Sequence, residues 1–386
     1  MTTVKNQRTT IRPLGICVAL SVFLTAAACG ARGAERWPKE KAAAWGQKSP
    51  WLVGSNFIPS TAINQLEMWQ ADTFDPATID RELGLAEGLG FNSMRVFLHD
   101  LPWKEDRDGY LKRINRFLEI ADSHKIGVMF VLFDSVWDPF PKSGLQPVPR
   151  PHLHNSGWVQ GPGIDVLKDP SKHGALEGYV KGIIGAFKDD PRVQVWDLMN
   201  EPDNRNASSY GKHEPENKAE LATALLRKVF EWAREVGPVQ PLTSGVWVGD
   251  YDPAKASATN RFQLEESDVI TFHSYDPPAV LKGKISTLRQ YGRPLICTEY
   301  MARPNKSTFD PALGILREQR VGAHNWGFVA GKSQTIYPWD SWKTPYTAEP
   351  KVWFHDIFRA NGTVYDPAEV TYIQRVTGKS ADRPRP

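Results

Sequence analysis

From about residue 51 onwards, short apolar runs alternate eight times with longer amphipathic stretches. The apolar runs, rich in β-branched residues, cover 51–57, 93–98, 127–133, 193–199, 239–243, 269–273, 295–298 and 323–328. The stretches of helical character cover 76–89, 110–124, 175–188, 218–236, 253–262, 278–291, 311–321 and 350–359. Strands that alternate with helices form parallel sheets, and eight such units close a barrel. The pattern predicts an α/β fold, a (β/α)8 TIM barrel forming a single domain over 51–360, with 30–50 as an N-terminal linker and 361–386 as a C-terminal extension.

Local signals at predicted helix ends agree with this alternation. Asp75 precedes Pro76, which places a capping side chain before a proline at the first helical position. Gly90 and Gly292 follow helical stretches, where a residue in the left-handed conformation commonly ends a helix. Asp310 before Pro311 repeats the first of these signals, so the sequence marks the starts of two helices and the ends of two.

The connections between the predicted elements differ greatly in length. The segments 134–170 and 330–349, which follow the third and eighth strands, are long and contain several tryptophans. The turns from helix to strand, such as 89–91, are tight. In this fold the loops that follow the strands build the site. We therefore expect a cleft at the carboxyl-terminal face of the barrel.

The first 29 residues have the features of a signal peptide. Lys5, Arg8 and Arg12 precede an apolar run over 14–28 that is short for a membrane span. Cys29, followed by a glycine, also permits lipoprotein processing, in which this cysteine carries a lipid anchor. The sequence predicts an exported protein that is periplasmic, extracellular or lipid-anchored.

Charge and cysteine content narrow the range of partners. The leader carries three of the 47 basic residues and none of the 44 acidic ones, so the rest of the chain is electrically balanced. Without a basic stripe, neither nucleic acid nor a protein partner is predicted, and a membrane is expected only through a lipid anchor on Cys29. Because Cys17 lies in the leader, the sequence predicts neither a disulfide nor a cysteine metal site.

Two glutamates end predicted strands. Glu201 follows Asn200 at the end of the fourth apolar run, and Glu299 ends the seventh. A carboxylate at such a position lies at the mouth of a barrel, although it can also solvate a loop or cap a helix. Strands four and seven face each other across the mouth, so the two carboxyls can approach. Cleavage of a glycosidic bond needs such a pair, one to protonate the leaving oxygen and one to attack the anomeric carbon.

With Asn200, Glu201 and Pro202 closing strand four, Glu299 closing strand seven, and eight barrel units, the chain resembles clan A glycoside hydrolases over about 51–359. It is most similar to the cellulase-like family 5. The resemblance implies a catalytic domain that hydrolyses a β-linked oligo- or polysaccharide of glucan, mannan or xylan type with retention. It also implies that Glu201 is the acid/base, that Glu299 is the nucleophile, and that no cofactor or metal is needed.

The resemblance extends to five residues around the two glutamates. It implies that Arg95 keeps the nucleophile ionised, that Asn200 contacts the sugar 2-hydroxyl, and that Tyr275 orients the nucleophile beside His273. It further implies that Trp326 forms the floor under the cleaved sugar. These positions are predicted to bind or support the substrate.

One position departs from the family pattern. Many members have a histidine at the end of strand three, whereas this chain has Asp134 there, with His152 and His154 only later in the loop. Asp134 is predicted either to bind a sugar hydroxyl or to cap the following turn. The identity of the sugar is left open by this departure.

Two other functions remain compatible with the residues. One is a carbohydrate-binding barrel that has lost turnover. The other is a barrel metallohydrolase that uses His152, His154, His273 and Asp134. Strand-end tryptophans are expected either to contact sugar rings or to pack their own loops; these are Trp137, Trp158, Trp247, Trp339 and Trp342.

Overall fold

The computed structural model describes residues 1–7 and 35–379. The described residues fall into two units: 1–7 are an exposed stretch without regular secondary structure, and the described residues from 35 onwards form one compact unit. Residues 8–29 of the predicted signal peptide, Cys29 included, lie outside the described residues. Within the described residues, no helix has the length and apolar character to cross a membrane.

Eight parallel strands form the barrel, which confirms the predicted fold. They are β1 Val53–Phe57, β2 Ser93–Phe97, β3 Gly127–Val131, β4 Val193–Asp197, β5 Leu242–Thr243, β6 Ile270–Ser274, β7 Leu295–Tyr300 and β8 Gly322–Asn325. The sheet order is β5-β4-β3-β2-β1-β8-β7-β6. A parallel bridge between Val246 and Phe272 joins the two ends of this order and closes the barrel.

Helices surround the barrel, and each strand is followed by at least one of them. They are α1 Lys39–Lys48, α2 Gln65–Trp69, α3 Pro76–Gly88, α4 Asp100–Glu105, α5 Arg107–Ser123, α6 Ile164–Leu167, α7 Glu177–Phe187, α8 Lys218–Val236, α9 Ala258–Glu266, α10 Pro278–Leu288, α11 Phe309–Glu318 and α12 Pro367–Thr377. Asp75 accepts a hydrogen bond from the Thr78 amide and caps α3, as predicted. Gly90 and Gly292 both have positive φ, which confirms their predicted left-handed conformation.

The predicted linker over 30–50 contains α1, which packs against the barrel. Trp45 of this helix contacts an apolar cluster, lying at the start of the strands, of Leu52, Met129, Val195, Val269 and Ile296. The Trp37 amide donates to Asp268 Oδ1 at 2.8 Å, and Arg293 donates to the Trp37 carbonyl at 2.8 Å. From residue 36 onwards the linker prediction is wrong, because this segment is held by buried polar contacts and covers apolar side chains.

The segment 350–359 was predicted to be a helix, and this prediction is wrong. Its apolar side chains are nearly consecutive in sequence, and Phe358 pairs with Val329 in a parallel bridge. The last helix is instead α12, inside the predicted C-terminal extension. Its Thr377 donates to the Leu89 carbonyl at 2.8 Å, and Glu369 forms an ion pair with Arg303 at 2.6 Å. The described part of the extension therefore belongs to the barrel fold.

Candidate active site

A cavity of about 640 Å³ lies at the carboxyl-terminal ends of the strands. Its lining includes Glu201 after β4, His273 and Tyr275 at the end of β6, and Glu299 near the end of β7. The long loop 134–170 also contributes to this lining. The cleft expected at this face of the barrel is therefore present, and both glutamates border it.

Glu201 is held tightly at the end of β4. Its backbone has a φ of 45°, a left-handed conformation that is unusual for a residue with a side chain and is often found at functional sites. Its Oε1 lies 2.7 Å from His273 Nδ1, and its Oε2 accepts from Asn204 Nδ2 at 2.6 Å. Burial raises the pKa of Glu201 to about 7, although Asn204 and Arg95 lower it. This carboxyl therefore holds a proton at mildly acidic pH.

Glu299 has a more strongly polar environment than Glu201. Its Oε1 accepts from Arg95 Nη1 at 2.9 Å, and its Oε2 accepts from the Tyr275 hydroxyl at 2.7 Å. Burial raises the pKa of Glu299, and Glu201 adds to this rise, while Arg95 and Tyr275 oppose it. Glu299, unlike Glu201, directly contacts a fixed cation. When the pair holds one proton, that proton therefore belongs on Glu201.

The two carboxyls come close together. A carboxylate oxygen of Glu201, one of Glu299 and a ring nitrogen of His273 all lie within 4.8 Å of one another. Burial lowers the pKa of His273 to about 4, so its imidazole is neutral at physiological pH. A neutral ring that donates from Nδ1 bonds Glu201 without adding a positive charge. The approach of the two glutamates across the mouth, expected from strand position, is present.

Arg95 of β2 connects both sides of the site. Its side chain is fully buried and donates to Asp197 Oδ2 from Nε at 3.1 Å and from Nη2 at 2.8 Å. It also donates to Asn56 Oδ1 at 2.8 Å, to Asn200 Oδ1 at 2.7 Å and to Glu299. Each of its five N–H groups thus has an acceptor. Burial lowers the pKa of Arg95, but the negative charges of Asp197 and Glu299 raise it by more. The guanidinium therefore stays charged.

Replacing Arg95 with methionine is expected to lower the free energy of unfolding by about 3 to 5 kcal/mol, because Asp197 and Glu299 would remain buried without their cation. Urea unfolding of the full chain measures this change. Arg116→Met is the matched control, because Arg116 pairs with Glu119 on the exposed surface and should change stability little. Equal stabilities of the two variants would contradict the buried role of Arg95.

Asn200 and Asp134 contact each other beside the glutamates. Asn200 Nδ2 donates to Asp134 Oδ1 at 3.0 Å, and Trp158 Nε1 donates to Asp134 Oδ2 at 2.6 Å. The Val136 amide also donates to Asp134 Oδ1 at 3.2 Å, so this aspartate caps its turn, one of its two predicted roles. Burial raises the pKa of Asp134 to about 7. Asp134 also lines the cavity, so both predicted roles remain compatible with its position.

Most of the candidate tryptophans reach the cavity. Trp326 lines it, with its ring edge-on to Trp158 at 5.5 Å. Trp137, Trp158, Trp247 and Trp339 also line it. Trp342 instead stacks on Trp137 at 5.6 Å and donates to the His154 carbonyl at 2.8 Å, so it packs against the loop 134–170. Four of the five loop tryptophans are thus placed where a sugar ring could reach them, and their contact with sugar stays a prediction.

The histidines proposed for a metallohydrolase do not form a site. His152 Nδ1 pairs with the Tyr337 hydroxyl at 2.6 Å, and His154 Nδ1 pairs with the Tyr337 carbonyl at 2.7 Å. Within residues 1–7 and 35–379, the one set of three side chains with metal-ligand atoms near one another is Glu201, His273 and Glu299. The predicted cluster of His152, His154, His273 and Asp134 is therefore wrong.

Comparison with known proteins identifies solved structures that share this fold. No protein-family model and no curated protein matches the chain. Among solved structures, a GH5_18 variant from Streptomyces cattleya in complex with Manb1-4GlcNAc matches with a TM-score of 0.58 at 15% identity, over 88% of this chain and 83% of that chain. At this level of sequence identity, the likeness shows a shared fold.

Two further solved structures have the same barrel. The endo-beta-1,4-mannanase from Thermotoga petrophila matches with a TM-score of 0.55 at 13% identity, over 89% of this chain and 80% of that chain. The endo-1,4-beta-mannanase from Rhizomucor miehei matches with a TM-score of 0.51 at 14% identity, over 87% of this chain and 96% of that chain. The resemblance to family 5 barrels drawn from the sequence is thus confirmed for the fold.

Three residues of the site were not predicted. Asp197 and Asn56 bind Arg95, and Asn204 binds Glu201. Asp197 lies within an otherwise apolar run, and a charged residue there signals a buried cation nearby. Asn56 and Asn204 are common polar residues near strand ends, and the sequence gives no signal that separates them from turn residues.

Proposed function

We propose that this chain is a retaining β-glycoside hydrolase with Glu201 as acid/base and Glu299 as nucleophile. The observation that supports this most is the separation of the two carboxyls, whose nearest oxygens lie within 4.8 Å at one cavity. Retaining enzymes hold their carboxyls about 5 to 5.5 Å apart, whereas inverting enzymes leave room for a water at about 6.5 to 9.5 Å. Attack by a carboxylate therefore fits this site better than attack by water.

In the first step, a Glu299 carboxylate oxygen attacks the anomeric carbon, and the bond from that carbon to the leaving oxygen breaks. Glu201 gives its proton to this oxygen, so the leaving sugar departs as an alcohol. Arg95 and Tyr275 bind Glu299 before attack and fix its orientation. His273 Nδ1 pairs with Glu201 Oε1 at 2.7 Å, and with its hydrogen on Nδ1 it leaves the other oxygen, near Asn204, as the proton carrier.

In the second step, water hydrolyses the ester between the sugar and Glu299. Glu201, now a carboxylate, takes one proton from the water while the water oxygen attacks the anomeric carbon. The ester bond breaks, Glu299 returns to its carboxylate form and Glu201 is protonated again. Two inversions at the same carbon give a product with the original β configuration.

The substrate class is proposed from the neighbouring structures. Two of them are named endo-1,4-β-mannanases, and one holds Manb1-4GlcNAc. We therefore place β-1,4-linked mannosides first among the candidates, before glucans and xylans. The tryptophans around the cavity supply apolar faces on which a sugar ring of any of these types can stack.

The configuration of the first product tests this function. Proton NMR recorded during early turnover of aryl β-glycosides should show the β anomer before mutarotation. A 2-deoxy-2-fluoro glycoside with a good leaving group should attach to the peptide that contains Glu299, as seen by mass spectrometry. An α anomer as first product would contradict the mechanism. The absence of hydrolysis of all β-glycosides would favour a binding barrel, and loss of activity with a chelator would favour a metal enzyme.

We also propose that the protein is exported. Support comes from the basic residues before the apolar run over 14–28. Cys29 is the candidate for a lipid anchor. Fractionation of the producing cells, with mass spectrometry of the mature N-terminus, distinguishes cleavage from lipidation.

A further inference from the structure

The loops after β3 and β8 are joined into one wall beside the cavity. The Asn155 amide donates to the Ser333 carbonyl at 2.8 Å, and the Trp342 ring nitrogen donates to the His154 carbonyl at 2.8 Å. Gln334 donates to the Arg150 carbonyl at 2.7 Å, and its side-chain oxygen accepts from the His152 amide at 2.8 Å. We call this joined structure, residues 150–160 and 331–342, the loop wall.

The loop wall is also fastened to the segments that follow β1 and β2. Asn64 donates to the Gly157 carbonyl at 2.8 Å, and the Lys332 amide donates to the Ser60 carbonyl at 3.0 Å. After β2, His99 Nε2 pairs with the Gln160 carbonyl at 2.8 Å. The ends of β1 and β2 are thus covered by protein. Among the described residues, the cavity lining comes from segments after β3 to β8 and includes none from the β1 or β2 loops.

The two sides of the cavity differ strongly in exposure. On the side of the loop wall, the lining residues His154, Asn155 and Trp158 are at most 2% exposed, and Trp339 is half-buried. On the opposite side, Val248 is 47% exposed and Gly249 and Ala207 are also exposed. The cavity therefore ends in protein on one side and opens to solvent on the other.

The position of Glu201 identifies the open side as the leaving-group side. The acid must lie beside the oxygen that departs, and Glu201 accepts from Asn204 in the β4 loop. In the same loop, Asp203 accepts from the Trp247 ring nitrogen at 2.7 Å, and this contact fixes the tryptophan at the open side. Trp326 and Trp158 lie against Phe97 of β2, on the closed side.

From this arrangement we infer, resting on the proposed function, that the enzyme removes single sugars from the non-reducing ends of β-linked chains. The cleaved sugar occupies the closed end, where the loop wall leaves no path for a further sugar on its non-reducing side. The rest of the substrate extends past Glu201 towards Trp247 and solvent. The loop wall makes this an exo-acting site, in contrast to an open cleft that binds a chain in its middle.

Two substrates test the inference on the full chain. With a 4-nitrophenyl β-disaccharide, nitrophenolate release should show a lag, because the terminal sugar must leave before the aryl bond can enter the site. With a β-1,4-linked pentasaccharide labelled at its reducing end, the first labelled product should be the tetrasaccharide, formed together with free monosaccharide. The 4-nitrophenyl β-monosaccharide of the same sugar is the control and should react without a lag.

A further substrate separates the modes of cleavage. A pentasaccharide whose non-reducing terminal sugar carries a bulky acetal on its 4-hydroxyl should be hydrolysed at least about 100-fold more slowly than the unmodified one. The reason is that the loop wall leaves no room for the added group. Immediate release of nitrophenolate together with free disaccharide, or labelled di- and trisaccharides as first products, would overturn the exo assignment and leave the hydrolase intact. Failure to hydrolyse any glycoside, the monosaccharide included, would overturn the proposed function and the inference with it.

Discussion

Replacing Glu299 with glycine is expected to lower kcat by about 10⁵- to 10⁶-fold, the scale seen when a covalent nucleophile is removed. The remaining cavity lies beside Arg95 and Tyr275, which bind the carboxylate in the intact chain. A small anion can occupy this space, so added azide should restore turnover of activated aryl β-glycosides. Because azide attacks once from the face that Glu299 occupied, the product should be the α-glycosyl azide. Proton NMR of the azide product measures its configuration.

The matched control for this experiment is Glu201→Gly. There the nucleophile is intact, so the glycosyl ester forms and azide attacks it from the side of residue 201. The product should be the β-glycosyl azide, the opposite configuration. Identical configurations from the two variants, or a Glu299→Gly variant that keeps normal turnover without azide, would overturn the assignment of the two roles.

The barrel could be predicted from sequence because its signal is local and repeated. Residues at the carboxyl ends of parallel barrel strands all lie at the same mouth of the barrel. Glu201 and Glu299 end the fourth and seventh predicted strands, so their positions at one mouth could be predicted from the order of the strands. The pairing of Arg95 with Asp197 did not, because the two residues lie on different strands and meet only when the barrel closes. A sequence pattern within one strand says nothing about the register of its neighbour.

The predictions for the two flanking segments failed for a different reason. Residues 30–50 and 361–386 lie outside the eightfold repeat and were therefore interpreted as linker and extension. Trp45 in the first segment and Val370, Ile373 and Val376 in the second are among the apolar residues that attach these segments to the barrel. A single apolar side chain per turn is a weak periodic signal, although it suffices when a complementary surface exists. The loop wall was beyond prediction for the same reason, since its contacts run between loops without periodicity.

Glu201→Gln should lower kcat/KM for glycosides with sugar leaving groups by about 10²- to 10⁴-fold, since the leaving oxygen would receive no proton. For 2,4-dinitrophenyl glycosides the first step should change far less, because that leaving group departs as a stable anion. The ratio of the two effects, measured by steady-state kinetics, reports the acid role. Equal losses for both substrates would instead indicate a general disturbance of the site.

The pH profile separates the acid from its neighbours. In the intact chain kcat/KM should fall as pH rises above about 7, because Glu201 must be protonated in the first step and its pKa is raised to about 7 by burial. Asp134 provides the matched control, since burial raises its pKa to about 7 as well. The fall should persist in Asp134→Asn and disappear in Glu201→Gln. If the fall disappeared only in Asp134→Asn, the proton that controls the reaction would belong to Asp134, and Glu201 could not be the acid.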